Sequence, residues 1–128
     1  MTYPKIDQQI TFIYVTDLQA SANFYEKIMG FKLWLDQGSC RIYSVSNDGL
    51  IGICQIGEGA KGSFATNGYQ NLILTLVSAE VEAWYDFLTS QGLECEHPPQ
   101  TNEKYNIYHF FVHDPDGYII EIQRFLKQ

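Results

Sequence analysis

The chain repeats itself, and that repeat limits its fold more than any other feature. Val15 and Val77 each close a short β-branched run, Ile10–Val15 and Leu72–Val77, and lie 62 residues apart. Gly30 and Gly92 each stop a stretch with helical spacing, and are also 62 apart. Asp48-Gly49 and Asp116-Gly117 are the strongest turn signals in each half, 68 apart. Three pairs in the same order make an internal repeat.

Each half reads the same way. Asp17 and Ser78 are N-cap candidates. Leu18, Ser21, Ala22, Tyr25, Ile28 and Met29 form one helical stripe, and Val81, Trp84, Tyr85 and Leu88 the other. In the first half, strands follow at Phe31–Leu35, Arg41–Val45 and Leu50–Ile56, with a turn at Gln37-Gly38-Ser39. In the second half, Leu93–Glu96, Tyr105–Val112 and Tyr118–Phe125 read as strands, and the polar, proline-containing His97–Glu103 as a loop. The prediction is an α+β chain of two βαβββ modules, residues 9–57 and 70–126, joined by a glycine-rich linker at 58–69.

Within the last turn and strand, His113-Asp114-Pro115-Asp116-Gly117-Tyr118-Ile119-Ile120-Glu121-Ile122, one residue is out of character. Glu121 is the only charge between Gly117 and Arg124, and its neighbours are isoleucines. It is either solvated or aimed into a cavity.

The segment Val15-Thr16-Asp17-Leu18-Gln19-Ala20-Ser21-Ala22-Asn23-Phe24-Tyr25, with Gly30-Phe31, resembles the opening of a vicinal oxygen chelate domain. Asp114 to Glu121 resembles its closing motif. That superfamily takes in glyoxalase I, bleomycin-resistance proteins and extradiol dioxygenases. The resemblance implies sheets curled into a cup, helices on the convex side, and a homodimer. It also implies a divalent metal held by a His or Gln opening the first strand of each module and by a Glu in each last strand. Those positions here are Ile10, Leu72, Ile53 and Glu121. Three of the four have no lone pair to donate, whereas zinc needs three or four N, O or S donors. Gln70 and Asn71, just before Leu72, could restore a donor if the register moved.

Strand parity then predicts the cup lining. Ile10, Phe12 and Tyr14 face inward, with Leu72, Leu74 and Leu76, with Ile51, Ile53 and Gln55, and with Ile119, Glu121 and Gln123. Thr11, Ile13 and Val15 pack under the helix. Trp34, Tyr43, Tyr108 and Phe110 are candidates for the wall. The expected ligand-binding set is therefore Ile10, Phe12, Tyr14, Trp34, Tyr43, Ile53, Leu72, Leu74, Tyr108, Phe110 and Glu121. A carboxylate there is either isolated, with its pKa raised by desolvation, or partnered by Arg41, His109, His113 or a phenol of Tyr14 or Tyr43.

The expected function is metal-free binding of a small hydrophobic or aromatic, possibly cationic, molecule, as in the bleomycin-resistance proteins. The alternatives are a metal-dependent glyoxalase- or dioxygenase-like enzyme using Glu121 with His109 or His113, and an isomerase with Glu121 as its catalytic residue. A net charge of −7 without a basic stripe argues against nucleic acid. No apolar run is long enough to span a membrane. Cys40, Cys54 and Cys95 are widely spaced with no CxxC, so neither a zinc site nor a disulfide framework is indicated, and a cytoplasmic location is expected. Cys54 reads as a buried thiol on the helix side.

Overall fold

A computed structural model describes residues 2–57 and 72–127. The expected linker, 58–69, lies outside the described residues, as do Gln70 and Asn71. The chain divides into two compact units, Met1–Phe64 and Ala65–Gln128.

The first unit runs β1 (Ile10–Val15), α1 (Leu18–Asn23), β2 (Lys32–Asp36), β3 (Cys40–Ser44) and β4 (Leu50–Gln55). Its sheet has the order β1-β4-β3-β2, with β1 and β4 parallel. The second unit runs β5 (Ile73–Val77), α2 (Val81–Ser90), β6 (Gln100–Asn102), β7 (Ile107–His113) and β8 (Ile119–Phe125). Its order is β5-β8-β7-β6, with β5 and β8 parallel. These are two βαβββ units of an α+β chain. One strand is displaced from its expected place. β6 forms inside the stretch read as a loop, while Leu93–Glu96 contributes only the bridge between Cys95 and Val112.

Asp17 caps α1, its side chain accepting from Ala20 N at 3.1 Å. The helix then widens into a π-helical turn, Phe24–Ile28, with Met29 N donating to Phe24 O at 2.9 Å. Both helices end before a glycine at positive φ, Gly30 at 74° and Gly92 at 88°, the conformation glycine adopts without steric cost.

The π turn accounts for a shift that end-marker spacing conceals. Two residues join β1 to α1, but three join β5 to α2. Leu18 to Gly30 is twelve steps and Val81 to Gly92 eleven, because the π turn holds one extra residue. The Val-to-Gly distance is thus equal in both halves although the strands are out of phase by one. Burial shows the consequence: the pair under the helix is Ile13 with Ile53 in the first unit and Leu74 with Ile120 in the second. Phe12 pairs with Gly52, and Thr75 with Glu121. Matched by which face lies under the helix, the strand offsets are 63 (Phe12 to Thr75) and 69 (Gly52 to Glu121), so the open-face counterpart of Glu121 is Gly52 and not Ile53.

In a pleated sheet a one-residue shift exchanges the faces. In the first unit the helix-covered face carries Ile13, Val15, Ile51, Ile53 and Tyr43, all buried. The Gln55 side chain ties that face to the start of α1, accepting from Leu18 N at 2.8 Å and donating to Thr16 O at 2.7 Å. The open face carries Ile10, Phe12, Tyr14, Ile42, Gly52 and Cys54. The Phe12 ring lies over Gly52, where a Cβ would collide with it.

In the second unit α2 packs on β7 and β8, with Tyr85 edge-on to Phe110 at 5.4 Å. Leu74, Phe110, Val112, Ile120 and Ile122 are buried on that side. Ile73, Thr75, Val77, His109, Phe111, Ile119, Glu121 and Gln123 occupy the open face.

Cys40 and Cys54 stand directly opposite one another on β3 and β4, with Cα atoms 4.1 Å apart, and form a disulfide. This corrects two expectations: Cys54 lies on the open face, and it is not a free thiol. The widely spaced numbers concealed an antiparallel hairpin that brings the two side by side. Cys95 is free. Denatured without reductant, the protein should expose one reactive thiol; after reduction it should expose three. Cys40→Ser with Cys54→Ser, closing no loop over a sequence separation of 14, should lower stability in urea unfolding by about 3 kcal/mol.

Candidate functional site

The open face of the second sheet gathers the polar groups that its apolar surroundings isolate. The turn after β7 sets their register. Asp114 Oδ1 accepts from Asp116 N and Tyr118 N, both at 2.9 Å, and Gly117 N donates back to Asp114 O at 3.0 Å. This fixes His109 opposite Gln123 and Phe111 opposite Glu121. The parallel β5–β8 ladder adds Thr75 beside Glu121.

Glu121 is 8% exposed and His109 4%. His109 Nδ1 lies 2.8 Å from Glu121 Oε2, and Thr75 Oγ1 donates to Oε1 at 3.0 Å. The Gln123 amide, with its nitrogen toward the carboxylate, donates to Oε1 at 3.2 Å and Oε2 at 3.3 Å. An ionised carboxylate only accepts, so the proton on the His109–Glu121 bond sits on Nδ1. Around the pair, the His97 ring lies 5.6 Å from His109 and 5.7 Å from Phe111, and His109 lies 5.0 Å from Phe111. His113, on the same face, instead meets Glu96 at 2.9 Å in an exposed pair.

The remaining sequence candidates divide between faces. Ile10, Phe12 and Tyr14 lie on the open face of the first sheet. Trp34 sits at a bulge in β2, beside a surface cavity of about 570 Å³ that Asp48, Asn47, Ser44 and Leu50 also line. Six of the expected ligand-binding residues are corrected on faces. Ile53, Leu74, Tyr43 and Phe110 are under the helices and unavailable to an open-face ligand. Tyr108, on the same side as Phe110, donates to Glu82 of α2 at 3.1 Å. Leu72 precedes β5 on the parity of Leu74. The cause is physical: Thr75 under an apolar helix would leave its hydroxyl unsatisfied, whereas on the open face it meets Glu121. Parity counted from Leu72 omits Thr75, His97 and Phe111. The one polar residue in the run Leu72–Val77 was the available signal.

Tyr43 shows what the covered face does instead. Its hydroxyl donates to Glu26 at 3.0 Å, with Arg41 3.7 Å from the same carboxylate. Burial, and then the Glu26 bond and charge, push its pKa up from 10.0 to about 12.

Metal chemistry can be tested on the donors themselves. The open-face positions that correspond when the units are matched by face are Ile10 with Ile73 and Gly52 with Glu121, which offer one carboxylate between them. Both oxygens of that carboxylate are already held. Among the described residues no group of three His, Cys, Asp or Glu side chains could hold an ion. Among the described residues, these donors do not fit a metal.

Two βαβββ units, each closing with a parallel first-to-last strand pair, define the class of fold. The chain belongs to the Glyoxalase/Bleomycin resistance protein/Dioxygenase superfamily, whose model matches residues 7–122. Its fold is similar to that of TioX from Micromonospora sp. ML1, at 19% identity and a TM-score of 0.77, covering 94% of this chain and 99% of that one. It is similar to an integron cassette protein from the mobile metagenome of V. cholerae, at 22% identity and a TM-score of 0.74, covering 97% and 98%. It is also similar to lactoylglutathione lyase from Agrobacterium tumefaciens, at 19% identity and a TM-score of 0.73, covering 95% and 96%. At these identities the likeness is one of fold. No curated protein matches the sequence. No helix among the described residues is long and apolar enough to cross a membrane.

Two outcomes are expected. Glu121→Leu should cost about 2–3 kcal/mol in urea unfolding, because His109, Thr75 and Gln123 lose their shared acceptor. Adding His109→Phe should recover part of that loss, a non-additivity that a double-mutant cycle measures. The stabilisation from Tyr43 is complete below pH 10 and is lost as pH rises toward 12, since the folded-state pKa is the higher one. Tyr43→Phe should therefore flatten the alkaline decline in stability by on the order of 2 kcal/mol over that window.

Proposed function

We propose that this chain binds a small, largely apolar or aromatic molecule on the open face of its second sheet, and does so without a resident metal. The observation that carries the reading is the state of Glu121. Its two oxygens are held by His109, Thr75 and Gln123 and not turned outward as a ligand set. Around it stand Phe111, His97, Ile119 and the exposed Ile73 and Val77. Such a lining, apolar with a few polar groups that fix orientation, suits a planar ring. Superfamily membership is compatible with this, since the fold hosts both enzymes and binders.

The protein is also proposed to form a homodimer. Phe12 on β1 and Ile73 and Val77 on β5 are 41%, 49% and 63% exposed on strands at sheet edges. A second copy would bury that surface. Sedimentation at micromolar protein should give a dimer.

The test of the binding reading uses anilinonaphthalene sulfonate as probe. Its fluorescence should rise saturably to one site per chain, be unchanged by chelator, and shift amide resonances of β5, β7 and β8. Elemental analysis of protein purified without chelator should find only substoichiometric divalent metal. Stoichiometric metal whose removal abolishes binding would overturn the proposal.

A further inference from the structure

The first unit has a concavity of its own, and what it offers does not depend on the binding reading above. The surface cavity beside Trp34 holds about 570 Å³, within the roughly 300–1,000 Å³ usual for small-molecule sites. Three local features put side chains around it. The bulge between Leu33 and Leu35 re-aims Trp34, which is 48% exposed. The turn from β3 to β4 is tight: Val45 N donates to Gly49 O at 2.8 Å, and a Cβ on Gly49 would meet Ser46 Oγ at 2.9 Å. That turn holds Asn47 and Asp48 at the cavity, next to the cross-strand partners Ser44 and Leu50. The segment leading into β1 adds Asp7.

The charge around this space has one sign. Asp7 and Asp48 line it, and among the described residues no Lys, Arg or His does. Lys5 lies 3.4 Å from Asp7, but the two side chains are 84% and 81% exposed, so water and salt screen that pair. The Asp48 carboxylate has no hydrogen-bond or ion-pair partner among the described residues. A divalent ion wants six or more oxygens around it, and an indole and a leucine supply none. An organic cation uses all of them: the carboxylates for its charge, the ring face for a cation–π contact, the aliphatic wall for its carbon. We propose that this cavity is a binding site for a small organic cation, a quaternary or protonated amine carried on a flat ring, with Trp34 as its ring partner and Asp48 and Asp7 as its charge partners. The net charge of −7 raises the local concentration of such a ligand.

The probe is phenyltrimethylammonium, followed by proton–nitrogen NMR. It should saturably shift the Trp34 indole N–H and the amides of Asn47, Asp48 and Leu50, and leave β5, β7 and β8 unmoved. Trp34→Leu should weaken binding about tenfold and Asp48→Asn about threefold. Both are surface changes, and the amide spectra report that the variants are folded. Added sodium chloride should weaken binding too, because exposed charges are screened. Benzyl alcohol, an uncharged ring of similar size, should bind at least about fivefold more weakly. Equal binding of benzyl alcohol, an unchanged affinity in Trp34→Leu, or calcium chloride displacing the organic cation with the same shifts would overturn the inference. Saturable shifts centred on β5, β7 and β8 instead would also overturn it, and would leave the binding reading standing.

Discussion

Each four-stranded sheet has one helix to cover it, and everything else follows from which side chains go beneath that helix. Burying an isoleucine or leucine is worth about 1.5–3 kcal/mol, whereas burying an unpaired hydroxyl costs a comparable amount. In the first unit Ile13, Val15, Ile51 and Ile53 win the covered face. In the second Leu74, Ile120 and Ile122 do, and Thr75 and Glu121 are forced to the other side. Strand parity is thus settled by the helix, not by the strand.

The two units solve this problem in different phase. The residue that the second unit spends in the connection from β5 to α2 is placed by the first in its π turn. As a result, equivalent open-face positions hold unlike chemistry. Phe12 over Gly52 is a ring against a bare backbone; Thr75 beside Glu121 is a hydroxyl against a carboxylate. One unit offers apolar surface with a cross-strand disulfide, the other a polar pair within an apolar surround.

That pair shows how the one acid on this face is engaged among the described residues. A carboxylate with three donors around it is satisfied without an ion.

The linear chain alone determined a good deal. Caps, helix-stopping glycines and the Asp-Pro-Asp-Gly turn are local signals, so the two βαβββ units and the anomaly of Glu121 were legible from it. So was the placing of Ile13 and Val15 under the helix, since the first strand is tied closely to its helix by Asp17. What only the tertiary structure decided was phase and partnership. Equal distances between Val and Gly markers hide a residue moved from a loop into a helix, and one residue is enough to turn Leu74, Ile53, Tyr43 and Phe110 away from the open face. His109 as the partner of Glu121, and Cys40 as the partner of Cys54, depend on ladder registers set by turns many residues away. Local propensity reads along the chain; register is a contact across it.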